Sequence, residues 1–490
     1  MTNQPLPASL KAAVTFVQDS MPVTADLVVR TLHGHSLGVL FVNSLVDSDT
    51  LQRAILAPLQ RLAGRSNTLP ELMELLPLGN LLLTRNASEV LDYLLRGWVY
   101  LHLHGHAQAL LVQADITPEK SDPQREYAVI GQQAAFTENL DNNVTLIRKL
   151  LPDTSLCHES LTIGTRSKTR VGMMYIGDVA NEQNLNTLRQ RLQELEIDSV
   201  ISSSVLSQLI DDNSTSVFAQ MLLTERPDFV AYAMNEGKIV LLLDGSSLAV
   251  LAPCTLWDFM KTAEDYNTRW NLGMFIRGLR ILAMLSSTQI TALYVAALTF
   301  HYQVIPVNLL DSLIESRLRV PFPPLYEALL LEFIIELLRE AGARLPSKVG
   351  QTMGIVGGIV IGEAAVQAGF TSNILIMLVA LGALASFTSP NYIFGMVIRV
   401  LRFPMIILAG WFGALGIALG GAFLLLHLLR MSSLGHPYLW PMYPLRLRNW
   451  REALLRMRAP AYANRSDYAQ GADKSRFSAA KAKQKRDIDE

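Results

Sequence analysis

The sequence predicts a protein of two unlike parts: an α/β cytosolic N-terminal region with two subdomains, followed by an all-α polytopic transmembrane domain. Charged residues make up 17% of the 490 residues and hydrophobic residues 50%, whereas soluble proteins average about 25% charged residues. Residues 281–300, 374–398 and 403–429 contain no Asp, Glu, Lys or Arg, and each run is long enough to cross a bilayer as a helix. Before residue 250, short aliphatic runs alternate with segments of helical periodicity, which is typical of an α/β fold.

About four membrane spans are expected, together with re-entrant or interfacial helices. The tail after Arg430 is rich in Lys and Arg, which marks the cytoplasmic side of a membrane. The N-terminus shows no secretory signal pattern, so both ends are expected inside the cell and the number of crossings is expected to be even. In this arrangement four arginines fall on the outer side of the membrane or in partly embedded segments: Arg317, Arg319, Arg399 and Arg402. The four spans are placed at 281–303, 349–368, 373–389 and 404–429.

The expected domain boundaries follow these changes in composition. The runs at 37–43 and 239–245 predict buried strands, those at 185–196 and 204–212 predict helices, and the polar stretch 113–126 predicts a linker between the two subdomains. The predicted domains are a first α/β subdomain at 1–120, a second at 121–255, the transmembrane domain at 256–430, and a basic, disordered tail at 431–490.

Several classes of function are disfavoured by composition and motifs. The net charge of −1 argues against a nucleic-acid-binding protein, which carries a basic face. Cys157 and Cys254 form neither a zinc motif nor a disulfide framework. The front half contains no glycine-rich phosphate loop, and no cofactor is expected.

One motif suggests an enzyme. Gly34-His35-Ser36-Leu37-Gly38 matches G-x-S-x-G, the nucleophile elbow of α/β-hydrolases, which places its serine between a strand and a helix. Because strand-like residues follow the motif, a hairpin turn explains the glycines better than an elbow does. No enzymatic activity is expected.

Three histidines alternate along a strand-like run at His102, His104 and His106. On a strand they would share one face and could bind a metal. No acidic or cysteine partner is evident at a useful spacing, and Gly105 suggests a turn, so a surface hairpin is the preferred interpretation and no metal site is predicted.

Four glycines recur at intervals of four residues in the second predicted span: Gly350, Gly354, Gly358 and Gly362. On a helix they form one stripe against which another backbone can pack closely. That backbone belongs either to the same chain or to a neighbouring subunit around a pore. In the second case Val360 and Ile361 would lie near the pore or its gate, and Glu363 would either line a cation path or lie among headgroups.

An apolar segment at 326–344 is unusual because it carries Glu327, Glu332, Glu336 and Glu340. The last three carboxylates share one helical face, and Glu336 can pair with Arg339 and Glu340 with Arg344. Carboxylates buried in a bilayer are costly and usually functional. An interfacial or re-entrant helix is preferred here over a full span.

The same region carries a resemblance to a known family. The run PFPPLYEALLLEFIIELLREAGARLPSKVGQTMGIVGGIVIGEAAVQAGFTSN (321–373) closely resembles the A subunit of GerA-type spore germination receptors. Similar matches occur at 386–392 and 399–403, and in the front half at 173–181, 223–228 and 237–247. The chain departs from the family pattern at Gln132, at Ala219 and at Glu363, where the family commonly has Gln, and residues 1–120 match poorly.

The resemblance implies a subunit of a nutrient receptor in the inner membrane of the spore, with both termini on the core side. It further implies that copies of the chain assemble into a cation-conducting homo-oligomer within membrane lipid. The implied partners are a permease-like B subunit, which binds the nutrient, and a lipoprotein C subunit. The alternative is a non-conducting scaffold that holds the permease-like partner.

Overall fold

The structure is a computed structural model that describes residues 5–32, 36–61, 68–124, 126, 130–344, 358, 360, 362–446, 464, 465, 468, 471 and 473–476. Its front half forms two α/β units, named repeat 1 and repeat 2, and its second half is a bundle of helices, named the helical domain.

Repeat 1 contains one antiparallel sheet with helices on both faces. The sheet has the strand order β1-β2-β4-β5-β3, and its interior side chains are almost all aliphatic. A π-helix, Leu51–Leu56, joins its second helix to its third. The elements are α1 (Leu10–Ser20), β1 (Leu27–Leu32), β2 (Leu37–Val42), α2 (Ser48–Thr50), α3 (Ala57–Arg61), α4 (Leu69–Leu75), β3 (Leu81–Thr84), α5 (Ala87–Leu94), β4 (Trp98–Leu103) and β5 (Ala109–Gln113).

Repeat 2 follows the same plan. Its sheet has the strand order β6-β7-β9-β10-β8, again antiparallel throughout. The predicted strands and helices of the front half are confirmed, with ends shifted by a few residues. The elements are α6 (Leu140–Leu150), β6 (Leu156–Ile163), β7 (Thr169–Ile176), α7 (Glu182–Gln193), α8 (Ser203–Leu209), β8 (Leu222–Thr224), α9 (Pro227–Asn235), β9 (Ile239–Leu243) and β10 (Ala249–Ala252).

The two units are tandem copies of one fold. When strands are counted from the start of each unit, both sheets have the order 1-2-4-5-3. The glycine turns also correspond: Gly97 and Gly237 have φ of 88° and 90°, and Gly105 and Gly245 have φ of 88° and 82°. Each pair lies 140 residues apart, and left-handed backbone at these positions favours glycine in both copies.

A close packing contact is repeated as well. A Cβ atom at Gly38 in β2 would collide with the side chain of Leu10, the first residue of α1. A Cβ atom at Gly172 in β7 would lie 3.1 Å from the side chain of Leu140, the first residue of α6. The glycines of both copies therefore admit the helix that precedes the sheet.

The helical domain begins with a short 3₁₀ helix, Leu256–Met260. Within the described residues two helices, α11 and α15, are long and apolar enough to cross a membrane, while α14 and α16 are shorter apolar helices. A second 3₁₀ turn, Tyr302–Val304, follows α11. The helices are α10 (Ala263–Asn267), α11 (Trp270–Thr299), α12 (Val307–Arg317), α13 (Pro324–Arg344), α14 (Asn373–Ser386), α15 (Tyr392–Phe412) and α16 (Ala414–Arg430).

The predicted span at 404–429 is wrong in its boundaries. Gly413 has φ of +61° and separates α15 from α16, so the apolar run belongs to two helices that pack on each other. Arg399 and Arg402, expected between spans, lie inside α15. Of the predicted span at 349–368, the structure describes residues 358, 360 and 362–368, of which all but 368 are helical.

Two of the long helices run away from repeat 2. α11 starts beside α10, where Arg277 pairs with Asp265 at 3.0 Å, and α15 starts where the Asn391 amide donates to the backbone of β8. Both helices end at the opposite side of the bundle, where a Cβ atom at Gly413 would lie 3.0 Å from Phe300. The side beside repeat 2 is named the near end and the opposite side the far end.

Three helices run back toward repeat 2. α13 starts at the far end, where Leu325 packs on Gly410, and reaches the near end, where Arg339 donates to Ser386 at 3.2 Å. α14 runs in the same direction, because Ser386 is its last residue. α16 ends in the core of repeat 2, to which Leu428 contributes. α13, α14 and α16 are therefore antiparallel to α11 and α15, whereas α11 and α15, which pack on each other, run in the same direction.

The residues after α16 fold against repeat 2. A two-stranded ribbon, β11 (Ser432–Ser433) and β12 (His436–Pro437), lies beside β8 and β10, and the Ser433 hydroxyl accepts from the backbone of Cys254 at 3.0 Å. Tyr438 is fully buried, and its hydroxyl donates to the carbonyl of Ala219 at 2.9 Å. The expectation of a disordered tail is therefore wrong for residues 431–446.

Candidate functional site in the helical domain

A buried ion pair lies at the centre of the helical domain. Glu332 of α13 and Arg402 of α15 approach to 2.5 Å, and both side chains are less than 5% exposed. Arg402 also donates to the hydroxyl and carbonyl of Ser287 in α11, at 2.7 and 2.8 Å, and to the carbonyl of Gly382 in α14 at 3.0 Å. The Thr291 hydroxyl donates to Glu332 at 2.8 Å. One guanidinium group therefore connects four helices.

The surroundings of this pair are apolar. The side chains around it form an aliphatic core drawn from α11, α13, α14 and α15. Removing a charge from water costs several kcal/mol, so both ions depend on having all their hydrogen bonds satisfied inside the bundle. Loss of either partner would leave an uncompensated buried charge, and the relative positions of the four helices are correspondingly restricted.

A second buried carboxylate lies toward the far end. Glu327 is 1% exposed and accepts hydrogen bonds from the backbone of Ser372 at 2.6 Å and the hydroxyl of Thr371 at 3.1 Å. Arg317 lies 3.6 Å away. Because Ser372 caps α14, Glu327 ties the start of α13 to the start of α14.

The remaining acidic residues of α13 lie toward the near end. Glu336 lies 3.1 Å from Arg399 of α15 and 3.9 Å from Arg339. Glu340 pairs with Arg344 at 2.7 Å, and both side chains are exposed. The two pairs predicted within the helix are therefore present, and the acidic face changes from buried to exposed along α13.

The position of α13 contradicts the interfacial alternative of the preferred prediction, which also allowed a re-entrant helix. It packs against α11, α14 and α15 and contributes to their shared core, so it does not lie flat on a surface as an interfacial helix would. The reason is charge complementarity: Glu332 and Glu336 are one turn apart, and they face Arg402 and Arg399, which are one turn apart on α15.

The helix that carries Gly358 and Gly362, named the glycine helix, leaves these glycines uncovered where the structure describes it. A Cβ atom at Gly358 or Gly362 would meet no other atom within 4 Å, and Val360 is 57% exposed. Glu363 is exposed, and its carboxylate accepts from Gln367 at 3.3 Å on the same helix. Within the described residues, nothing packs against Gly358 or Gly362. Three predicted residues of this helix lie outside the described residues: Gly350, Gly354 and Ile361.

The glycines of the last helix contrast with them. A Cβ atom at Gly416 would collide with the backbone of Leu408, and one at Gly420 would lie 2.7 Å from the sulfur of Met405. These two glycines therefore serve packing between α15 and α16 within one chain.

A dense ionic cluster joins repeat 2 to the start of the helical domain. Asp258 lies 2.6 Å from Lys238 and 2.9 Å from Lys261, and Glu236 lies 3.8 Å from Lys261 and 3.3 Å from Arg476. Burial would raise the pKa of Asp258, but the two lysines outweigh burial and hold it far below its usual range. The carboxylate is therefore ionised, and it links β9 to the segment that enters α11.

The predicted serine motif lies between two antiparallel strands, β1 and β2, although its Gly34 and His35 lie outside the described residues. Ser36 directly precedes β2, so a strand follows it and not the helix that a nucleophile elbow requires.

The three histidines have separate surroundings. His102 is buried, with Nδ1 2.8 Å from the Tyr100 hydroxyl, and burial lowers its pKa. His104 Nδ1 accepts from the backbone of Leu10 at 3.3 Å. Among the residues that the structure describes, no cluster of three His, Cys, Asp or Glu side chains is placed to hold a metal ion.

Sequence reasoning identified Glu332 but missed its partner. The sequence alone places Arg402 on the outer side of the membrane or in a partly embedded segment, because it falls between two predicted spans. The signal was available: two acids four residues apart and two arginines three residues apart, each pair within an apolar segment, form complementary sets.

A tandem α/β region fused to a bundle of apolar helices with internal ion pairs defines a membrane-associated protein. The particular family follows from comparison: the chain belongs to the GerA family, whose model, described as Bacillus/Clostridium GerA spore germination protein, matches residues 15–468. This confirms the resemblance seen in the sequence.

Individual relatives agree with this assignment. Spore germination protein GerQA of Bacillus cereus is 44% identical over 445 residues, which cover 90% of this chain and 89% of that protein. Spore germination protein KA of Bacillus subtilis (strain 168) is 34% identical, covering 92% and 84%. The uncharacterized membrane protein YfkQ of the same organism is 35% identical, covering 82% and 79%.

One solved structure is also similar. It is the crystal structure of the N-terminal domain of the A subunit of the Bacillus megaterium spore germinant receptor GerK3. The identity is 27%, the TM-score is 0.41, and the alignment covers 52% of this chain and 98% of that one.

Proposed function

We propose that this protein is the A subunit of a nutrient-responsive spore germination receptor and that copies of it assemble into a ligand-gated channel for monovalent cations. The observation that carries the proposal is the open glycine helix. Gly358 and Gly362 form a groove that nothing in the described part of the chain fills, whereas the glycines of α16 are covered by residues of α15 in the same chain. In lipid, where apolar surfaces gain little by associating, such a groove is a contact for another helix.

In this proposal the outer surface of the glycine helix faces both a neighbour and a pore. Val360, Ile361 and Glu363 are proposed to line the pore or its gate, because an apolar constriction can close a channel by dewetting and an acidic side chain attracts cations. The carboxylates of α13 have a different role. Glu327, Glu332 and Glu336 fix the bundle against which the glycine helix is held.

The chain is proposed to lie in the inner membrane of the spore with both termini on the core side. Support comes from the fold of the tail, since residues 431–446 pack on repeat 2 and must therefore share its side of the membrane. The proposed topology has six crossings, an even number: five are α11, α13, α14, α15 and α16, and the sixth is proposed for the predicted span at 349–368.

This topology can be tested with single cysteines. Tyr302, 62% exposed at the far end, should be labelled from outside in sealed vesicles when replaced by Cys, whereas Asp473→Cys should be protected. The native thiols of Cys157 and Cys254 are buried and give little background. Labelling of position 473 from outside would contradict the placement of the tail.

The proposed partners are a second copy of the chain, a permease-like B subunit that binds the nutrient, and a lipoprotein C subunit. The alternative function is a non-conducting scaffold for the permease-like partner. The two differ in ion flux, so the decisive experiment is reconstitution of the purified full-length protein into potassium-loaded liposomes.

Two gate variants make this experiment informative even when the wild-type channel is closed. Val360→Ala and Ile361→Ala should release potassium without nutrient, because each removes apolar bulk from the proposed gate. Leu384→Ala on α14, similarly exposed and outside the proposed gate, is the matched control, and liposomes that contain it should retain their potassium. If both gate variants form oligomers and yet retain potassium as well as the control does, the scaffold function is favoured.

A further inference from the structure

A cavity of about 320 Å³ lies at the near end, between repeat 2 and the loop that joins α14 to α15. Thr224 and Phe229 of repeat 2 form one wall, Thr262 lies at the segment entering α11, and Phe387 and Ser389 of the loop close the other side. Cavities of this size at boundaries between domains are common sites for small ligands. The lining is half polar and includes three phenylalanine rings.

The cations that line the cavity are already engaged. Each is held by an acidic side chain at hydrogen-bonding distance, and none offers a free charge. The pairs are Arg226 with Asp228 at 2.7 Å, Lys261 with Asp258 at 2.9 Å, and Arg280 with Asp265 at 3.2 Å.

One lining carboxylate is different. Glu126 comes from the linker between the repeats, is half-buried, and accepts one hydrogen bond, from the Thr224 hydroxyl at 2.6 Å. Arg226 reaches only its main-chain oxygen, at 3.5 Å, and within the described residues no salt bridge is formed to the Glu126 carboxylate. Burial raises the pKa of Glu126 to about 7, and the nearby charge of Glu225 adds to the rise. The charge of Arg226 opposes this rise from a distance, but among the described residues no cation pairs directly with the Glu126 carboxylate.

We propose that this cavity binds a small primary ammonium compound with an apolar tail. The ammonium group pairs with the Glu126 carboxylate, and the hydrocarbon part lies against the rings of Phe229, Phe259 and Phe387. Aromatic faces attract cations as well as hydrocarbon, so both ends of such a ligand are recognised. A neutral compound of the same shape lacks the counter-charge, and an inorganic cation lacks the apolar contacts.

This site goes beyond the proposed function and does not depend on conduction. Its occupant would touch repeat 2 and the loop at 387–391 at once, and so would bias the position of repeat 2 on the helical domain. Binding alone can therefore be measured, and its failure would leave the flux experiment unaffected.

The test uses the purified full-length protein in detergent and isothermal titration at pH 8. The probes are n-butylammonium chloride, 1-butanol and potassium chloride. Saturable binding is expected for n-butylammonium alone. Saturable binding of 1-butanol with the same affinity, or no binding of n-butylammonium, would overturn the proposal.

Glu126→Gln keeps the shape and the hydrogen bond to Thr224 but removes the charge, and should weaken n-butylammonium binding at least about tenfold. Glu119→Gln is the matched control, because Glu119 lies exposed on the same linker outside the cavity. Phe387→Leu, in the loop, should weaken binding about threefold, the size of an exposed cation–π contact. Wild-type affinity in Glu126→Gln, with an unchanged melting temperature, would refute the role of the carboxylate.

The pH profile gives an independent readout. Protonation of Glu126 competes with the ligand, so affinity should be full above pH 8 and fall about tenfold per unit below the pKa near 7. The Glu126→Gln variant should lose this dependence, which separates Glu126 from the other charged groups around it. Those groups are Glu225, Arg226, Asp228, Lys261, Glu264 and Arg280. A wild-type profile that stays flat from pH 8 to pH 6 would contradict the assignment.

Discussion

Repeat 1 and repeat 2 share a fold but not an environment. The core of repeat 2 continues without a break into the helical domain, since side chains of α11, α15 and α16 belong to the same apolar cluster as its own helices. Among the described residues, the cores of repeat 1 contain no side chain of the helical domain. One fold therefore serves once as the base of a helical bundle and once as a peripheral unit.

One pair of corresponding residues illustrates the difference. Position 229 of repeat 2 is a Phe that is 8% exposed in the shared core, and its counterpart 140 residues earlier is Glu89. Glu89 is exposed and accepts a hydrogen bond from Thr84, so the corresponding face of repeat 1 is polar. The apolar contact with the helical domain is thus a property of side chains on a helix rather than of the sheet.

The ends of the repeats are covered in a similar way. In repeat 1, the 3₁₀ turn Asn43–Leu45 is covered by α6 of repeat 2, with a hydrogen bond from Thr145 to the carbonyl of Ser44. In repeat 2, the corresponding residues at 177–179 are covered by the tail, where the backbone of Asp473 donates to Asp178 at 2.9 Å. The tail therefore takes the place that a third repeat would occupy.

Removal of Arg402 should have the largest effect on stability, and it should show most clearly that the two repeats respond differently. Arg402→Leu leaves Glu332 buried without its partner, and breaking such a pair costs about 3–5 kcal/mol. Hydrogen exchange in detergent should rise in the helical domain and repeat 2 and stay unchanged in repeat 1. Arg344→Leu, which breaks an exposed pair on the same bundle, should cost less than about 1 kcal/mol.

The double variant Arg402→Leu with Glu332→Leu completes this experiment. It removes both charges and should recover much of the lost stability. If repeat 1 were destabilised as strongly as repeat 2 by Arg402→Leu, the two units would be one cooperative body and the comparison would be wrong.

Exchanging the corresponding residues of the repeats should have the next largest effect. Phe229→Glu places a charge in the shared core and should destabilise the contact with the helical domain by at least about 3 kcal/mol. The reciprocal change, Glu89→Phe, lies on an exposed face and should alter stability by about 0.5 kcal/mol or less. Limited proteolysis between residues 253 and 270 would report detachment of repeat 2, and equal resistance of both variants would show that position 229 does not decide the docking.

The two glycine sets should respond differently to enlargement. Gly420→Leu overpacks a contact that other side chains of the same chain already fill. It should lower the free energy of unfolding by about 1–3 kcal/mol, whether the subunit is isolated or assembled. Gly358→Leu meets no atom within the described chain, so the isolated subunit should unfold as the wild type does. If the groove holds a neighbouring subunit, crosslinking should show loss of the oligomer for Gly358→Leu, and Gly358→Ala should be milder. Normal assembly of Gly358→Leu would remove the glycine helix from the subunit contact.

Loss of the ion pair between the two repeats should have the smallest effect on stability, and that effect should depend on pH. Asp26 of repeat 1 pairs with Arg148 of α6 at 2.6 Å and lies 3.4 Å from His158. Burial opposes ionisation of Asp26, but the hydrogen bond to His158 and the charge of Arg148 outweigh it and hold its pKa far below the usual range.

Since the folded-state pKa of Asp26 is depressed, the stability that it contributes is present above pH 4 and lost as the pH falls through the unfolded value near 3.9 toward the lower folded value. Asp26→Asn should therefore cost about 1–2 kcal/mol at pH 7 and less at pH 2, where part of the contribution remains. The measurement is urea unfolding of both proteins at the two pH values, followed by hydrogen exchange of the backbone amides in α6. Equal losses at both pH values would exclude the ionised carboxylate as the source of the contact.

Local patterns predicted much of the fold. The strands at 37–43 and 239–245 and the helices at 185–196 and 204–212 were found because alternation and helical periodicity are short-range properties. The duplication was not recognised, because corresponding residues are often only similar, and because a strand order is a long-range property. The hairpin around Ser36 was predicted correctly from the strand-like residues that follow it.

The candidate site was predicted less completely. The acids of α13 and the glycine stripe were visible as exceptions within apolar runs, but the partner of Glu332 lies 70 residues further along the chain. The break at Gly413 was missed, since glycine alone does not reveal its φ angle. The cavity at Glu126 had no local signal, because its walls come from segments far apart in the sequence.

By itself the sequence determined the division into an α/β front half and an apolar helical half, the family, and the residues whose chemistry is unusual for their surroundings. Composition and periodicity carry this information because each residue's preference for water or for a helical face is local. Only the tertiary structure decided which charges meet, which glycines are filled, and which repeat joins the helical domain. These outcomes depend on packing between distant segments, where a buried charge such as Arg402 is stable only if all its partners arrive together.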